Sequence, residues 1–323
     1  MLKRPRRNRK TSAIRSLCQE TTISPQDFIM PFFILEGDNR NETNPSLPGL
    51  YKFSTDLLVK KAEMLHRAGV PAILLFPIEP PENKDSTGSR ALCPNGLLPR
   101  TIQLLKKEIP SLCVICDVAL DPYTSHGHDG IINSDGYVLN DETVHLLSKL
   151  SLLFAESGAD ILAPSDMMDG RVASIRKHLD QGKFQDVGIL SYTAKYASSL
   201  YGPFRDTLKS HLQIGDKKGY QMDPRNVREA LREAKLDEEE GADALMVKPA
   251  LFYLDVLSKI KEATHLPLCA YHVSGEYAMV MAAHEKGYLN ADKTFLEALI
   301  SIKRAGADFM ISYALPHILS QIS

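Results

Sequence analysis

Short apolar runs recur along the chain, each following a stretch whose apolar residues return every three or four positions. Three are introduced by the same tripeptide: Gly158-Ala159-Asp160 before Ile161-Leu162-Ala163, Gly241-Ala242-Asp243 before Ala244-Leu245-Met246-Val247, and Gly306-Ala307-Asp308 before Phe309-Met310-Ile311. Ala68-Gly69-Val70-Pro71, leading into Ala72-Ile73-Leu74-Leu75-Phe76, is a fourth relative. A glycine that ends a helix, a tight loop and an unbroken apolar run together predict a helix feeding a parallel strand buried on both faces. Phe28 to Ile34, Cys113 to Val118, Val187 to Ser191 and Leu268 to Tyr271 bring the predicted strands to eight. The intervening segments are amphipathic, with Leu58, Ala62 and Leu65 on one stripe and Val227, Ala230, Leu231 and Ala234 on another. Eight such units in 323 residues favour a closed (β/α)8 barrel (residues 23–323) over an open sheet of similar strand count.

Composition narrows the class. The chain is 44% hydrophobic and 24% charged, with a formal net charge of −2, as expected of a soluble globular protein with a sizeable core. No apolar stretch approaches the length of a membrane span, and the N-terminus lacks the apolar centre of a signal peptide, which points to the cytoplasm. Five scattered cysteines suggest reduced thiols rather than a disulfide framework. Cys113 and Cys116 have CxxC spacing, but residues three apart on a strand face opposite ways and do not chelate one ion. Six of the first ten residues are Lys or Arg. Because the remainder is not basic, residues 1–22 read as an arm for subunit contacts at least as well as a nucleic-acid tail.

Two predicted strands close on a lysine: Leu245-Met246-Val247-Lys248-Pro249 and Leu190-Ser191-Tyr192-Thr193-Ala194-Lys195. In a barrel these two strand ends are neighbours. Apolar surroundings penalise the ammonium form, and two facing ammonium groups depress one another further. Lowering a lysine pKa from about 10.4 to about 7 raises the neutral fraction at pH 7 from roughly one in a few thousand to about half. Neutral amines attack carbonyls, so the pair predicts Schiff-base chemistry. The third strand runs into Asp117-Val118-Ala119-Leu120-Asp121-Pro122-Tyr123-Thr124-Ser125-His126-Gly127-His128-Asp129-Gly130, where turns at Gly127 and Gly130 fold Asp129 back toward Asp117 and Asp121. Clustered carboxylates suit a hard cation such as Mg²⁺ or K⁺, or stabilise a protonated lysine or iminium.

That loop, with Ser191-Tyr192-Thr193-Ala194-Lys195-Tyr196, Tyr201-Gly202-Pro203-Phe204-Arg205-Asp206, Met246-Val247-Lys248-Pro249 and Tyr271-His272-Val273-Ser274-Gly275-Glu276, closely resembles the porphobilinogen synthase (delta-aminolevulinic acid dehydratase) family over nearly the whole chain. The resemblance implies a TIM-barrel lyase of tetrapyrrole (heme) biosynthesis that condenses two molecules of 5-aminolevulinate to porphobilinogen. By that resemblance Lys248 forms the first Schiff base, on the propionate side, and Lys195 the second, on the acetate side. Ser274 and Tyr313 are implied to bind the propionate-side carboxylate. Arg205, Lys217 and Gln221, on a lid, are implied to bind the acetate-side one, with Tyr201 and Phe204 helping to close it. Zinc-dependent relatives place cysteines where this chain has Ala119, Asp121 and Asp129, so the resemblance is to the aspartate-rich branch that works without catalytic zinc. It further implies an allosteric Mg²⁺ at Glu233, an active-site cation (in some relatives monovalent) at Asp121 and Asp129, and a homo-octamer with neither nucleic acid nor membrane as partner.

Two other readings compete. A class I aldolase also uses a barrel lysine, but needs only one and a glycine-rich phosphate cradle, which Tyr271-His272-Val273-Ser274 and Ser312-Tyr313-Ala314-Leu315-Pro316 do not supply. An RNA-binding protein with a vestigial barrel predicts nucleic-acid affinity that falls steeply with salt and is lost with residues 1–10.

Overall fold

The apolar runs fold as strands in the computed structural model, which describes residues 2–322. In chain order these are β1 (Phe28–Leu35), β2 (Asn41–Thr43), β3 (Tyr51–Ser54), β4 (Ala72–Pro77), β5 (Cys113–Val118), β6 (Ile161–Pro164), β7 (Gly188–Lys195), β8 (Ala244–Lys248), β9 (Leu268–His272) and β10 (Phe309–Ser312). Eight of them, β1 and β4 to β10, are parallel neighbours in sequence order, and β10 returns to β1 through Phe28 opposite Met310 and Ile29 opposite Ile311. The sheet is therefore a closed barrel, and helices separate successive barrel strands from β4 onward. All eight residues of β1 are buried, as a barrel strand packed on both sides requires.

The repeated Gly-Ala-Asp has a structural reason at each of its three places. The glycines adopt φ of 103°, 99° and 119°, a left-handed conformation that ends the preceding helix. Each aspartate then accepts the backbone N–H of the neighbouring strand: Asp160 from Val114 at 2.8 Å, Asp243 from Ile189 at 2.7 Å and Asp308 from Leu268 at 2.7 Å. Each also pairs with a cation from an adjoining helix, Lys106, Arg176 and Lys261 respectively. These carboxylates are more than a third exposed, so the ion pairs add little and the strand-to-strand amide bonds carry the effect. The repeat thus fastens the N-terminal end of the barrel, opposite the end where β7 and β8 finish in lysine.

Two features lie outside the eight-unit pattern. β3 runs parallel to the end of β1, pairing Phe33 with Lys52, and β2 closes an antiparallel hairpin on it. Residues 2–20 form a short 3-10 segment, Pro5–Arg9, and one helical turn and a half, Ser12–Leu17, with no buried side chain, an arm apart from the barrel core. No helix among the described residues is long and apolar enough to cross a membrane.

Candidate active site

Lys195 and Lys248 end adjacent strands and stand directly opposite one another in the β7–β8 register. Both are nearly inaccessible, 6% and 5% exposed. Their surroundings differ. The Lys248 amine lies over four rings, 4.5 Å from the centre of Tyr271, 4.9 Å from Tyr192, and 5.2 Å from both Tyr201 and Phe204. Burial, then repulsion from Lys195, push its pKa down to about 7, against the pull of Asp117, Asp129 and Asp121. The strand is held firmly here, since the Lys248 carbonyl accepts from Tyr196 N at 3.0 Å and from the Tyr201 hydroxyl at 3.1 Å. Lys195 instead donates to Asp129 Oδ2 at 3.1 Å and to the Ser165 carbonyl at the end of β6.

The carboxylates come from the β5 loop, as the sequence predicts. Gly127, at φ 76°, is where a Cβ would fall 2.5 Å from the His211 carbonyl, so only glycine lets this loop pass under the segment after β7. That turn delivers Asp129 between two ammonium groups, Lys195 on Oδ2 and Lys217 on Oδ1 at 2.5 Å. Burial alone raises its proton affinity, but the two lysines outweigh this and hold the carboxyl below the usual carboxylate range. Asp117 goes the other way: burial pushes it up to about 7, with Lys248 opposing and Asp121 adding to the rise. It accepts from Ser165 Oγ at 3.1 Å on one oxygen and lies close to the Tyr192 hydroxyl, while Gln221 Oε1 is buried without a hydrogen-bond partner among the described residues. Such an unmet polar atom on the cavity is available to a substrate.

Asp117, Asp121, Asp129, Ser165, Lys195, Tyr201, Phe204, Arg205, Lys217, Gln221 and Lys248 line one cavity of about 20 Å3. That is room for roughly one water, so the segment carrying Tyr201 to Gln221 is shut over the lysines. Phe204 seals it by packing edge-on to Phe76 at 4.9 Å and against Phe33 at 5.8 Å. Ser274 Oγ receives Phe204 N and donates to the Leu200 carbonyl, both at 3.2 Å, so it latches this lid. Gly275 beside it has the Leu200 carbonyl 2.5 Å from where a Cβ would sit. Tyr313, bonded to the Tyr271 hydroxyl at 2.9 Å and stacked on Phe33, lies behind the aromatic wall rather than on the cavity. Of the residues implied to bind or react with substrate, Ser274 and Tyr313 are thus one layer back in this closed arrangement, while Lys195, Lys248, Tyr201, Phe204, Arg205, Lys217 and Gln221 meet in the cavity.

Glu233 is elsewhere. It lies on the helix Arg228–Glu239 and, with Asp169, Asp216 and Glu229, lines a separate pocket of about 330 Å3. Burial, then the nearby Asp237, raise its proton affinity against the pull of Arg171, and no Lys or Arg lines the pocket. Among the described residues no three His, Cys, Asp or Glu side chains converge tightly enough to enclose a metal ion. At Asp121 and Asp129 a cation fits poorly, because both Asp129 oxygens already hold ammonium groups.

Sequence reasoning passed over four contributors. Tyr192 and Tyr271 build the cage around Lys248, and their only signal was an aromatic residue one or more positions before the strand end. Arg171 and Asp237 form a buried ion pair behind β7, with Arg171 NH1 3.4 Å from Asp237 Oδ1. Asp237 stands in the acidic run Asp237-Glu238-Glu239-Glu240, which reads as a solvated face.

Comparison with known proteins identifies relatives of the whole chain. A family profile described as delta-aminolevulinic acid dehydratase matches residues 2–321. The Chlamydia pneumoniae protein of that name is 56% identical over 317 residues, covering 98% of this chain and 95% of the relative. A chloroplastic protein of that name from Physcomitrium patens is 52% identical, over 96% of this chain and 72% of its own length. The crystal structure of delta-aminolevulinic acid dehydratase (porphobilinogen synthase) from Toxoplasma gondii ME49, in complex with the reaction product porphobilinogen, matches with a TM-score of 0.97 at 49% identity, covering 99% of this chain and 92% of that one.

Proposed function

This chain belongs to the delta-aminolevulinic acid dehydratase family and condenses two molecules of 5-aminolevulinate to porphobilinogen, and we propose that it does so through Schiff bases on Lys248 and Lys195. The observation that carries the assignment of roles is the contrast between two lysines in register, one among ring faces and one on a carboxylate. With its pKa lowered to about 7, about half of Lys248 is neutral at pH 7, so its amine attacks the first substrate ketone without prior deprotonation. Asp117, with its pKa near 7, delivers the proton that lets the carbinolamine oxygen leave as water. Lys195, released from its contact with Asp129, forms an iminium with the second substrate and expels the second water. Loss of a C–H proton beside that iminium gives an enamine whose carbon adds to the Lys248 iminium carbon, and elimination then frees the Lys248 amine. The amine of the Lys248-side substrate adds to the Lys195 iminium carbon, the Lys195 amine leaves, and loss of a C–H proton gives the pyrrole, so that two waters depart and both lysines return unmodified.

Arg205, Lys217 and Gln221 are assigned to the acetate-side carboxylate because all three line the cavity. Ser274 and Tyr313 are assigned to the propionate-side carboxylate, which they reach once the lid relaxes. Mg²⁺ is assigned to Glu233, whose pocket is lined by four carboxylates and no Lys or Arg. With no enclosing cluster, the ion would keep several waters there, as Mg²⁺ does, and act by neutralising charge. Ala119, Asp121 and Asp129 provide no thiolate, which supports a zinc-independent reaction. No step passes through a cation at Asp129. We assign the chain to the cytoplasm and residues 1–22 to subunit contacts in a homo-octamer; the exposure of residues 2–20 supports the contact role alone.

The test is turnover of 5-aminolevulinate after EDTA treatment, with Mg²⁺ or Zn²⁺ restored, together with borohydride trapping of substrate on each lysine. Product without zinc, raised by Mg²⁺, and reduced adducts at Lys248 and Lys195 are expected. Rescue by zinc alone overturns the metal assignment, and absence of adducts overturns the lysine roles. Deleting residues 1–10 is expected to reduce the oligomer size in light scattering; an unchanged octamer overturns the role of the arm.

A further inference from the structure

β7 is not a regular strand. Ser191 stands opposite Leu245 and Ala194 opposite Val247, so three steps along β7 match two along β8, which is a bulge. In a regular strand, residues three apart face opposite sides. Here Tyr192 and Lys195 both face the site, with the Tyr192 ring 4.9 Å from the Lys248 amine and 5.9 Å from the Lys195 amine. Ser191 and Thr193 face outward instead, and both donate to Asp237 Oδ2, at 2.6 and 2.8 Å. Arg171 completes the cluster by donating to Ser191 Oγ at 3.1 Å and to the Tyr192 carbonyl at 3.3 Å, with Asp166 3.8 Å from its Nε. Arg171, Asp237, Ser191, Thr193 and Asp166 are all buried, at 2% exposure or less.

We propose that the buried Asp237–Arg171 cluster is the positioning device that sets the β7 bulge, and through it fixes Lys195 and Tyr192 on the same side as Lys248. A plain strand would satisfy either the tyrosine or the lysine but not both. The cluster holds the two hydroxyls and one carbonyl that flank the extra residue. No member of it hydrogen-bonds to either lysine; Asp166 lies near enough to Lys195 to feel its charge, whereas the Ser191 and Thr193 contacts with Asp237 act on geometry. This rests on the Schiff-base roles given above.

The experiment uses the full-length enzyme with Ser191→Ala and Thr193→Val together, which removes both hydroxyls and leaves the Asp237–Arg171 pair; Thr193→Val alone serves if the double variant does not fold. Borohydride trapping is read separately at each lysine, beside melting temperature and a crystal structure of the variant. The expected result is an adduct rate at Lys195 reduced by about tenfold or more, an adduct rate at Lys248 nearly unchanged, a lower kcat, recovery with Thr193→Ser, and a lost or shifted bulge. Wild-type rates at both lysines overturn the proposal, as does a parallel loss at both that merely follows the melting temperature. A variant crystal structure with the bulge and the Lys195–Asp129 contact unchanged overturns it without reference to substrate. If the unmodified enzyme traps nothing, the lysine roles have failed, and that crystal structure decides the positioning claim by itself.

Discussion

Lys248 and Lys195 occupy equivalent places on adjacent strands, yet their environments prepare them for different tasks. Lys248 has ring faces for neighbours and burial as its main influence, and its amine is half neutral near pH 7. Lys195 is tied to Asp129, which is also shared by Lys217. A nucleophile in an aromatic cage is ready as it stands, whereas one held on a carboxylate must first be released. The order of Schiff-base formation proposed above rests on what surrounds two identical side chains. An aromatic cage also tolerates the cationic iminium once formed, because the ring faces that accept an ammonium accept an iminium.

Removing the caged amine should have the largest effect. Lys248→Ala is expected to lower kcat by about 10³-fold or more and to abolish the first adduct, whereas Lys195→Ala should still form it, measured by borohydride trapping with peptide mass spectrometry. Lys248→Met sharpens the point through stability. The folded Lys248 pKa is depressed, so between about 7 and the unfolded value of 10.5 the unfolded chain binds more protons, and wild-type stability rises with pH across that window. The methionine variant should therefore melt higher than wild type near pH 6, with the gap narrowing toward pH 10.

Next in size is Asp129→Asn, which leaves two buried ammonium groups without their shared anion. A loss of about 3–5 kcal/mol in denaturant unfolding is expected, with turnover down by about 10²-fold. Asp117→Asn should split two observables. Since Asp117 supports the charged form of Lys248, the pH midpoint of adduct formation should move below about 7, while kcat falls by about tenfold or more for want of a proton carrier. The smallest effect belongs to the remote pocket, where Glu233→Gln should remove Mg²⁺ activation, about two- to fivefold, and leave the metal-free rate unchanged.

Much of this was readable along the chain. Three glycines at positive φ and three aspartates on neighbouring-strand amides gave the Gly-Ala-Asp repeat a local mechanism, so the strands after it were legible. The close of β7 on Lys195 was legible too, but the facing of its last residues was not, because the bulge between Ser191 and Ala194 inverts it. The β2–β3 hairpin was missed because it is short and largely exposed, without an apolar run. At the site, residue types gave the lysines and aspartates. They did not give the partners, because whether Asp129 or a ring meets a given amine depends on loops that cross from elsewhere in the chain. Asp237 was hidden by its acidic neighbours, three exposed or half-exposed carboxylates around a buried one.

A closed cavity of about 20 Å3 also bears on apparent affinity. Neither substrate fits until the lid lifts, so the measured dissociation constant is the intrinsic one divided by the fraction of molecules open at any moment. An enzyme open about 1% of the time binds about a hundredfold more weakly than its open form. Loosening the latch at Ser274 would tighten substrate capture even as it removes a ligand for the carboxylate, and the same shift in population would shorten the dwell time of the product.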